Sequence, residues 1–218
     1  MVPVLDAVAA PERSALLRAG VRRRFAPGEV VFHEGDPGDA LHFVTHGVFV
    51  ARSSSPRGEV IAVNVHGPGD VFGELALLTE STRRSATIVS VERGATLMVG
   101  RAAFEDLRAR DPSVDRALLT VLAERNRALT AQVVELLFTP ADQRVYRRLL
   151  AYHEMVAAAE DSGGWIRLNQ TELSTLAGTT RSTTNRVLRR AEDGGILALG
   201  RGRVRVIDID ELRRRAGS

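Results

Sequence analysis

The sequence predicts an α+β chain in three parts: an N-terminal antiparallel β-roll, a long dimerisation helix, and a C-terminal winged helix-turn-helix. Three observations carry that prediction. Between about Arg22 and Phe104, short β-branched runs alternate with glycine-containing turns. From about Pro112 to Leu137, apolar residues recur at spacings that alternate between three and four. Beyond Thr139, two short helical stretches meet at Gly178 and are followed by two strands around a Gly-Arg-Gly-Arg tip. The expected domains are 1–111, 112–138 and 139–218.

In the first part, helical text at about 11–19 precedes the strands. Val30-Val31-Phe32, Leu41-His42-Phe43-Val44, Val48-Phe49-Val50-Ala51 and Val60-Ile61-Ala62-Val63 are short enough for a small roll. The turns fall at Gly35-Asp36-Pro37-Gly38, Ser55-Pro56-Arg57-Gly58 and Gly67-Pro68-Gly69-Asp70. Thr87–Val91 and Ala95–Val99 continue the pattern, and Arg101 to Arg110 begins a helical exit.

The long helix carries Leu119, Leu122, Asn126, Leu129, Val133 and Leu136 along one seam, with a single polar insert at Asn126. Such a seam suits a partner helix, and a buried Asn favours a two-stranded pairing in one register. Glu124, Arg125, Arg127, Gln132 and Glu135 are expected as its polar flanks. A homodimer follows.

Thr139-Pro140-Ala141-Asp142 reads as a fresh helix start and a candidate hinge. After a helix to about Ala159, Asp161–Leu168 is expected as a hairpin arm. Asn169 with Glu172 forms a capping pattern, Gly178 ends that helix, and Thr180 caps the next. On the second helix, Arg181, Ser182, Asn185 and Arg186 share one polar face, while Val187, Leu188 and Ala191 point inward. That face enters the major groove in a helix-turn-helix. Arg201 and Arg203 tip a two-stranded wing. The expected DNA-contacting set is therefore Thr180, Arg181, Ser182, Asn185, Arg186, Arg201 and Arg203.

Composition narrows the function. The chain has 218 residues, 44% of them hydrophobic, and no cysteine. Disulfides, cysteine-ligated iron–sulfur clusters and thiol sensing are excluded. No apolar run is long enough to cross a membrane, and Met1–Asp6 lacks a charged leader, so a cytoplasmic protein without membrane contact is expected. All 30 basic residues are arginine, which we read as coding bias. Residues 140–218 hold 14 of them against 10 acidic residues, making this part the polyanion binder.

One stretch of the roll points to a ligand. Gly73-Glu74-Leu75-Ala76 opens a short helical turn, and Arg84-Ser85-Ala86 follows ten residues after the glutamate. Backbone N–H groups at such a glycine can face an anion. The Arg84 guanidinium can neutralise a phosphate through paired hydrogen bonds, Ser85 can add a hydroxyl, and Glu74 can accept a ribose hydroxyl. These are the groups a cyclic phosphate diester requires.

With these parts in this order, nearly the whole chain resembles the CRP/FNR family of bacterial transcription regulators. The resemblance is carried by Gly73-Glu74-Leu75-Ala76 with Arg84-Ser85-Ala86, and by Leu173-Ser174-x-Leu176-Ala177-Gly178-Thr179-Thr180-Arg181-Ser182-Thr183-x-Asn185-Arg186. It implies cyclic AMP as effector, with Glu74 on the ribose and Arg84 and Ser85 on the cyclic phosphate. The implied ligand-binding set is Val63, Asn64, Gly73, Glu74, Leu75, Ala76, Arg84, Ser85 and Thr130, with no metal. It further implies double-stranded DNA with a pseudo-palindromic operator as partner, and RNA polymerase as a second one. Two positions depart from the family pattern. Cyclic-AMP-responsive members typically carry a Thr-Ser pair on the dimer helix, where this chain has Leu129 and Thr130. In the recognition helix, Ser182 replaces a glutamate that reads cytosine.

The sequence bears on two other readings. An enzyme would draw on His33, His42, His46, His66 or His153, but no nucleophile–base motif, phosphate loop or carboxylate pair accompanies them. His42 and His46 sit on a strand, roughly 13 Å apart, too far to share a metal. The same fold could instead act without nucleotide, or with another ligand such as haem bound at His66 or His46.

Overall fold

In the computed structural model, which describes residues 10–54, 60–79, 81–157 and 165–217, helix α1 (Ala10–Ala19) leads into eight strands. These are β1 (Val21–Phe25), β2 (Val30–Phe32), β3 (Ala40–His46), β4 (Phe49–Ser54), β5 (Val60–His66), β6 (Val71–Phe72), β7 (Thr87–Ser90) and β8 (Gly94–Gly100), with one helical turn, α2 (Leu75–Leu78), between β6 and β7. They form two sheets in the order β1-β8-β3-β6 and β2-β7-β4-β5. The described registers are antiparallel, as the roll requires.

Strand β3 shows how the sequence builds this part. Its first five residues are buried on both faces. Val44 points into a cluster with Phe25, Phe49, Ala51, Phe72 and Ile88. Leu41 and Phe43, one residue out of phase, face a second cluster with Leu16 of α1, Phe104 and Leu107 of α3 (Arg101–Arg110), and Val114, Ala117 and Leu118 of α4 (Ser113–Phe138). Full burial of each large side chain stabilises the fold by about 1.5–3 kcal/mol. The two-residue alternation thus fixes which strand face meets the helices.

The C-terminal elements are α5 (Ala141–Ala157), β9 (Trp165–Ile166), α6 (Gln170–Leu176), α7 (Arg181–Asp193), β10 (Leu197–Gly200), β11 (Arg203–Val206) and α8 (Ile209–Ala216). Helix α5 packs against α6, α7 and α8. Val145 and Leu149 of α5, Leu173 of α6, Val187 and Leu188 of α7, and Leu212 of α8 are buried. By contact the chain divides into two units, Met1–Ser53 with Val65–Leu129 and Ser54–Asn64 with Thr130–Ser218.

The wing departs from expectation. It has three strands in the order β10-β11-β9, because Trp165 and Ile166 pair with Arg205 and Val204. A lone hairpin is marginal in water, and a third strand with a large aromatic supports it. Trp165 and Ile166, expected in a separate arm, therefore belong to the wing. The turn expected at Ser55–Gly58 and the part of the arm at Asp161–Gly164 lie outside the described residues, as do Met1–Asp6.

Candidate ligand pocket and nucleic-acid interface

In the first unit, Gly73 holds φ +83°, a conformation that favours glycine. Space also demands it: a Cβ there would lie 2.5 Å from Nη1 of Arg84. Arg84 is only 5% exposed. Its Nη1 donates to the carbonyls of Ala40 (2.7 Å) and Gly73 (3.0 Å), and its guanidinium lies 4.1 Å from the centre of the Phe32 ring. Nη2 approaches Asp39 at 3.6 Å. Burial lowers the pKa of Arg84 from its ordinary value, and the carboxylates of Asp39 and Asp36 oppose that shift. Nε is buried without a hydrogen-bond partner among the described residues. A guanidinium withdrawn from water with a donor unused is suited to receive an anion. Ser85 beside it is exposed.

Glu74 is 2% exposed, and its carboxylate is paired with Arg125 of α4, which also donates to the carbonyl of Val71. Arg125 is therefore not the solvated flank expected from the helix register. It joins the strand end at Val71, the acid at Glu74 and the long helix. Arg101 completes the frame by donating to the carbonyls of Gly38 (2.9 Å) and Ala76 (2.7 Å). Glycine at 38 is required for space, since a Cβ would lie 2.2 Å from that of Ala76. The structure thus brings together Gly73, Glu74, Ala76 and Arg84, with Leu75 and Ser85 exposed beside them. Val63, Asn64 and Thr130 belong to the second unit.

Two histidines line the roll interior. His42 stacks on Phe72 at 5.1 Å and bonds Thr96 Oγ1 through Nδ1 at 3.0 Å; His66 approaches Phe72 at 5.6 Å. Burial, then Arg84 and Arg23, pushes the His42 pKa down to about 3. Burial, then Arg125, does the same for His66, also to about 3. Both rings are neutral near pH 7. Among the described residues no group of three or more His, Asp or Glu is arranged to hold a metal.

Along α4 the expected seam lies open. Leu119 is 64% exposed, and Asn126, Leu129 and Val133 are exposed as well, with Leu122 half-buried. Leu136, expected in the same seam, lies against the helix-turn-helix of its own chain: a Cβ on Gly178 would sit 2.1 Å from its Cδ2. Glu135, expected as a solvated flank, pairs with Arg147 and Arg148 of α5.

The DNA-reading elements are well formed. Asn169 and Glu172 make a reciprocal capping box on α6. Gly178, at φ +58°, turns the chain, and Thr180 caps α7 by accepting from Thr183 N. Buried Arg144 of α5 donates to the carbonyls of Ala177 (2.8 Å), Gly178 (2.9 Å) and Thr139, fixing the turn to the end of the long helix. Sequence reasoning missed Arg144, because one more arginine on an amphipathic helix has no distinguishing spacing. Arg181, Ser182, Asn185 and Arg186 are all exposed on α7. Asn185 Oδ1 accepts from Gln170 at 3.2 Å. Arg186 also lines a cavity of about 310 Å³ with Asp142, Tyr146, Thr183 and Arg190. Arg201 and Arg203 are exposed on the wing.

Comparison with known proteins agrees with both halves. Residues 22–111 match the cyclic nucleotide-binding domain family, and residues 143–215 match the Crp-like helix-turn-helix domain family. Over 196 residues the chain is 33% identical to a CRP-like cAMP-activated global transcriptional regulator of Mycobacterium tuberculosis, covering 88% of this chain and 86% of that one. Over 198 residues it is 34% identical to the cyclic AMP receptor protein of Thermus thermophilus, covering 90% and 89%. The crystal structure of the Thermus thermophilus catabolite activator protein matches at TM-score 0.55 and 31% identity, covering 99% and 98%.

Proposed function

Because the chain belongs to the CRP/FNR family of transcription regulators, and is a cyclic-nucleotide-binding member of it rather than an enzyme, we propose that its effector is cyclic AMP and that it acts as a cytoplasmic homodimer on pseudo-palindromic DNA. The observation that carries this reading is the buried, charged Arg84 with its unused Nε, set beside the buried carboxylate of Glu74. Arg84 neutralises the cyclic phosphate, Ser85 adds a hydroxyl, and Glu74 accepts from the ribose. The working domains are 1–111, 112–138 and 139–218. The named activities of the two curated relatives support the choice of cyclic AMP.

The exposed apolar seam of α4 pairs with a second copy. Two-fold pairing sets two recognition helices about one DNA turn apart, roughly 34 Å. The nucleotide biases that pairing through the ion pair between Glu74 and Arg125, and the end of α4 passes the change to the DNA-reading turn through Leu136 and Arg144. RNA polymerase is the partner that would read out promoter occupancy. Selection of operators from random duplexes, with and without cyclic AMP, tests the reading. Enrichment of a two-fold symmetric site that tightens with cyclic AMP is expected; no enrichment under either condition would overturn it.

A second reading, DNA binding without nucleotide dependence, is favoured by Leu129, which completes an apolar seam where cyclic-AMP-responsive members typically place a hydroxyl. Haem as an alternative ligand would show in the visible absorption of the purified protein.

A further inference from the structure

Trp165, the only tryptophan in the chain, stands opposite Arg205 across the wing sheet. Arg203, two residues from Arg205 on β11, shares its face. Both guanidinium groups lie over the indole, 4.3 Å from the ring centre for Arg203 and 5.1 Å for Arg205. Gly200 is the cross-strand partner of Arg203. A Cβ on it would lie 2.9 Å from Cγ and Nε of Arg203 and 3.3 Å from Cζ3 of Trp165. Gly200 does not have a positive φ, so the position needs glycine for space rather than for conformation. The Arg203 side chain lies across that bare backbone to reach the ring.

Among the described residues no carboxylate is within ion-pair distance of Arg203 or Arg205. The distinction matters chemically. A carboxylate would fix a guanidinium but cancel its charge, whereas an aromatic face fixes it and leaves the charge and the edge N–H groups outward. Two long side chains held this way lose rotamer freedom on folding instead of on binding.

We propose that Trp165 is a positioning residue for DNA: with Gly200 leaving room, it holds Arg203 and Arg205 ready to contact backbone phosphates. The proposal rests on the DNA-binding reading above and deepens it. Contacts of this kind are independent of base sequence and appear in the salt dependence of binding.

The test uses the full chain with cyclic AMP, titrating a labelled mixed-sequence duplex across a salt series. Wild type is compared with Trp165→Ala, Trp165→Phe and Gly200→Ala. Trp165→Ala and Gly200→Ala are expected to bind about two- to five-fold more weakly, the range for losing an exposed cation–π contact, with a shallower salt slope. Trp165→Phe should recover most of both, and the wild-type tryptophan emission should change on adding duplex. Unchanged affinity and slope in a folded Trp165→Ala would overturn the proposal. If that variant does not fold, Gly200→Ala decides, because it keeps the indole and presses chiefly on Arg203, with the new Cβ 2.9 Å from Cγ and Nε of Arg203 against 3.3 Å from the ring; wild-type behaviour there would equally overturn it. A wild type that binds no duplex at low salt would overturn the DNA-binding reading itself, a distinct result.

Discussion

Arg125 on the long helix and Glu74, the N-cap residue of α2, form an ion pair in which the acid is almost fully withdrawn from water. The pair lies where strand, ligand motif and helix meet, so it ties the three together. Arg125→Ala leaves a buried carboxylate without its cation, and breaking such a pair costs about 3–5 kcal/mol. The low end is expected, because Arg125 is partly exposed. Adding Glu74→Gln to Arg125→Ala removes the stranded charge and should return part of the stability, measured by urea denaturation. No recovery in the double variant would mean that packing, rather than charge, dominates at this position.

The buried histidines give the fold an acid limit. Their pKa values are about 3 in the folded chain against an ordinary 6.5. The unfolded state therefore binds more protons between these values, and stability must rise with pH across that window. The contribution is complete above about pH 6.5 and is lost as pH falls toward about 3. Urea midpoints measured down this range should fall steeply for wild type and less steeply for His42→Phe or His66→Leu. Parallel curves would mean that neither ring is held neutral by the fold.

The seam prediction concerns assembly. Leu122→Asp together with Leu129→Asp would place unpaired charges in a buried interface, a cost of several kcal/mol. Sedimentation should show wild type as a dimer and the double variant as a monomer. A dimer that survives both charges has its interface elsewhere. Leu129→Thr, by contrast, should keep the dimer and increase the dependence of DNA binding on cyclic AMP.

On α7, Arg181 and Arg186 are expected to divide the work between bases and phosphates. An arginine that reads guanine contributes about 1–3 kcal/mol and, when replaced by Ala, relaxes preference at one operator position. One that binds phosphate lowers the salt slope by about one unit across all sequences. Operator selection and salt titrations for each Ala variant separate the roles, and an absence of both effects in both variants would move recognition off this helix.

The fold class, the order of the parts and the caps at Asn169 and Thr180 were legible because each rests on local periodicity or on side-chain bonds three residues apart. Gly73, Glu74 and Arg84 lie close in sequence, and the structure places them side by side. What escaped detection depends on contacts far apart in the chain. Arg125 and Glu135 occupy polar flanks of the helix register, and only folding shows that one meets Glu74 and the other Arg147 and Arg148. Leu136 satisfies the seam spacing and is half exposed, and its approach to Gly178 does not show in that spacing. The third wing strand escaped because Trp165-Ile166 is too short to show a period.

Calorimetric titration of cyclic AMP, with cyclic GMP in parallel, into wild type and Arg84→Ala bears most directly on the ligand assignment. Loss of a buried, charged hydrogen-bond donor costs about 2–5 kcal/mol. Wild type should bind cyclic AMP, and Arg84→Ala should bind it more than tenfold more weakly while remaining folded. Binding of equal strength in both proteins, or none in wild type, would contradict the assignment of this pocket to the nucleotide.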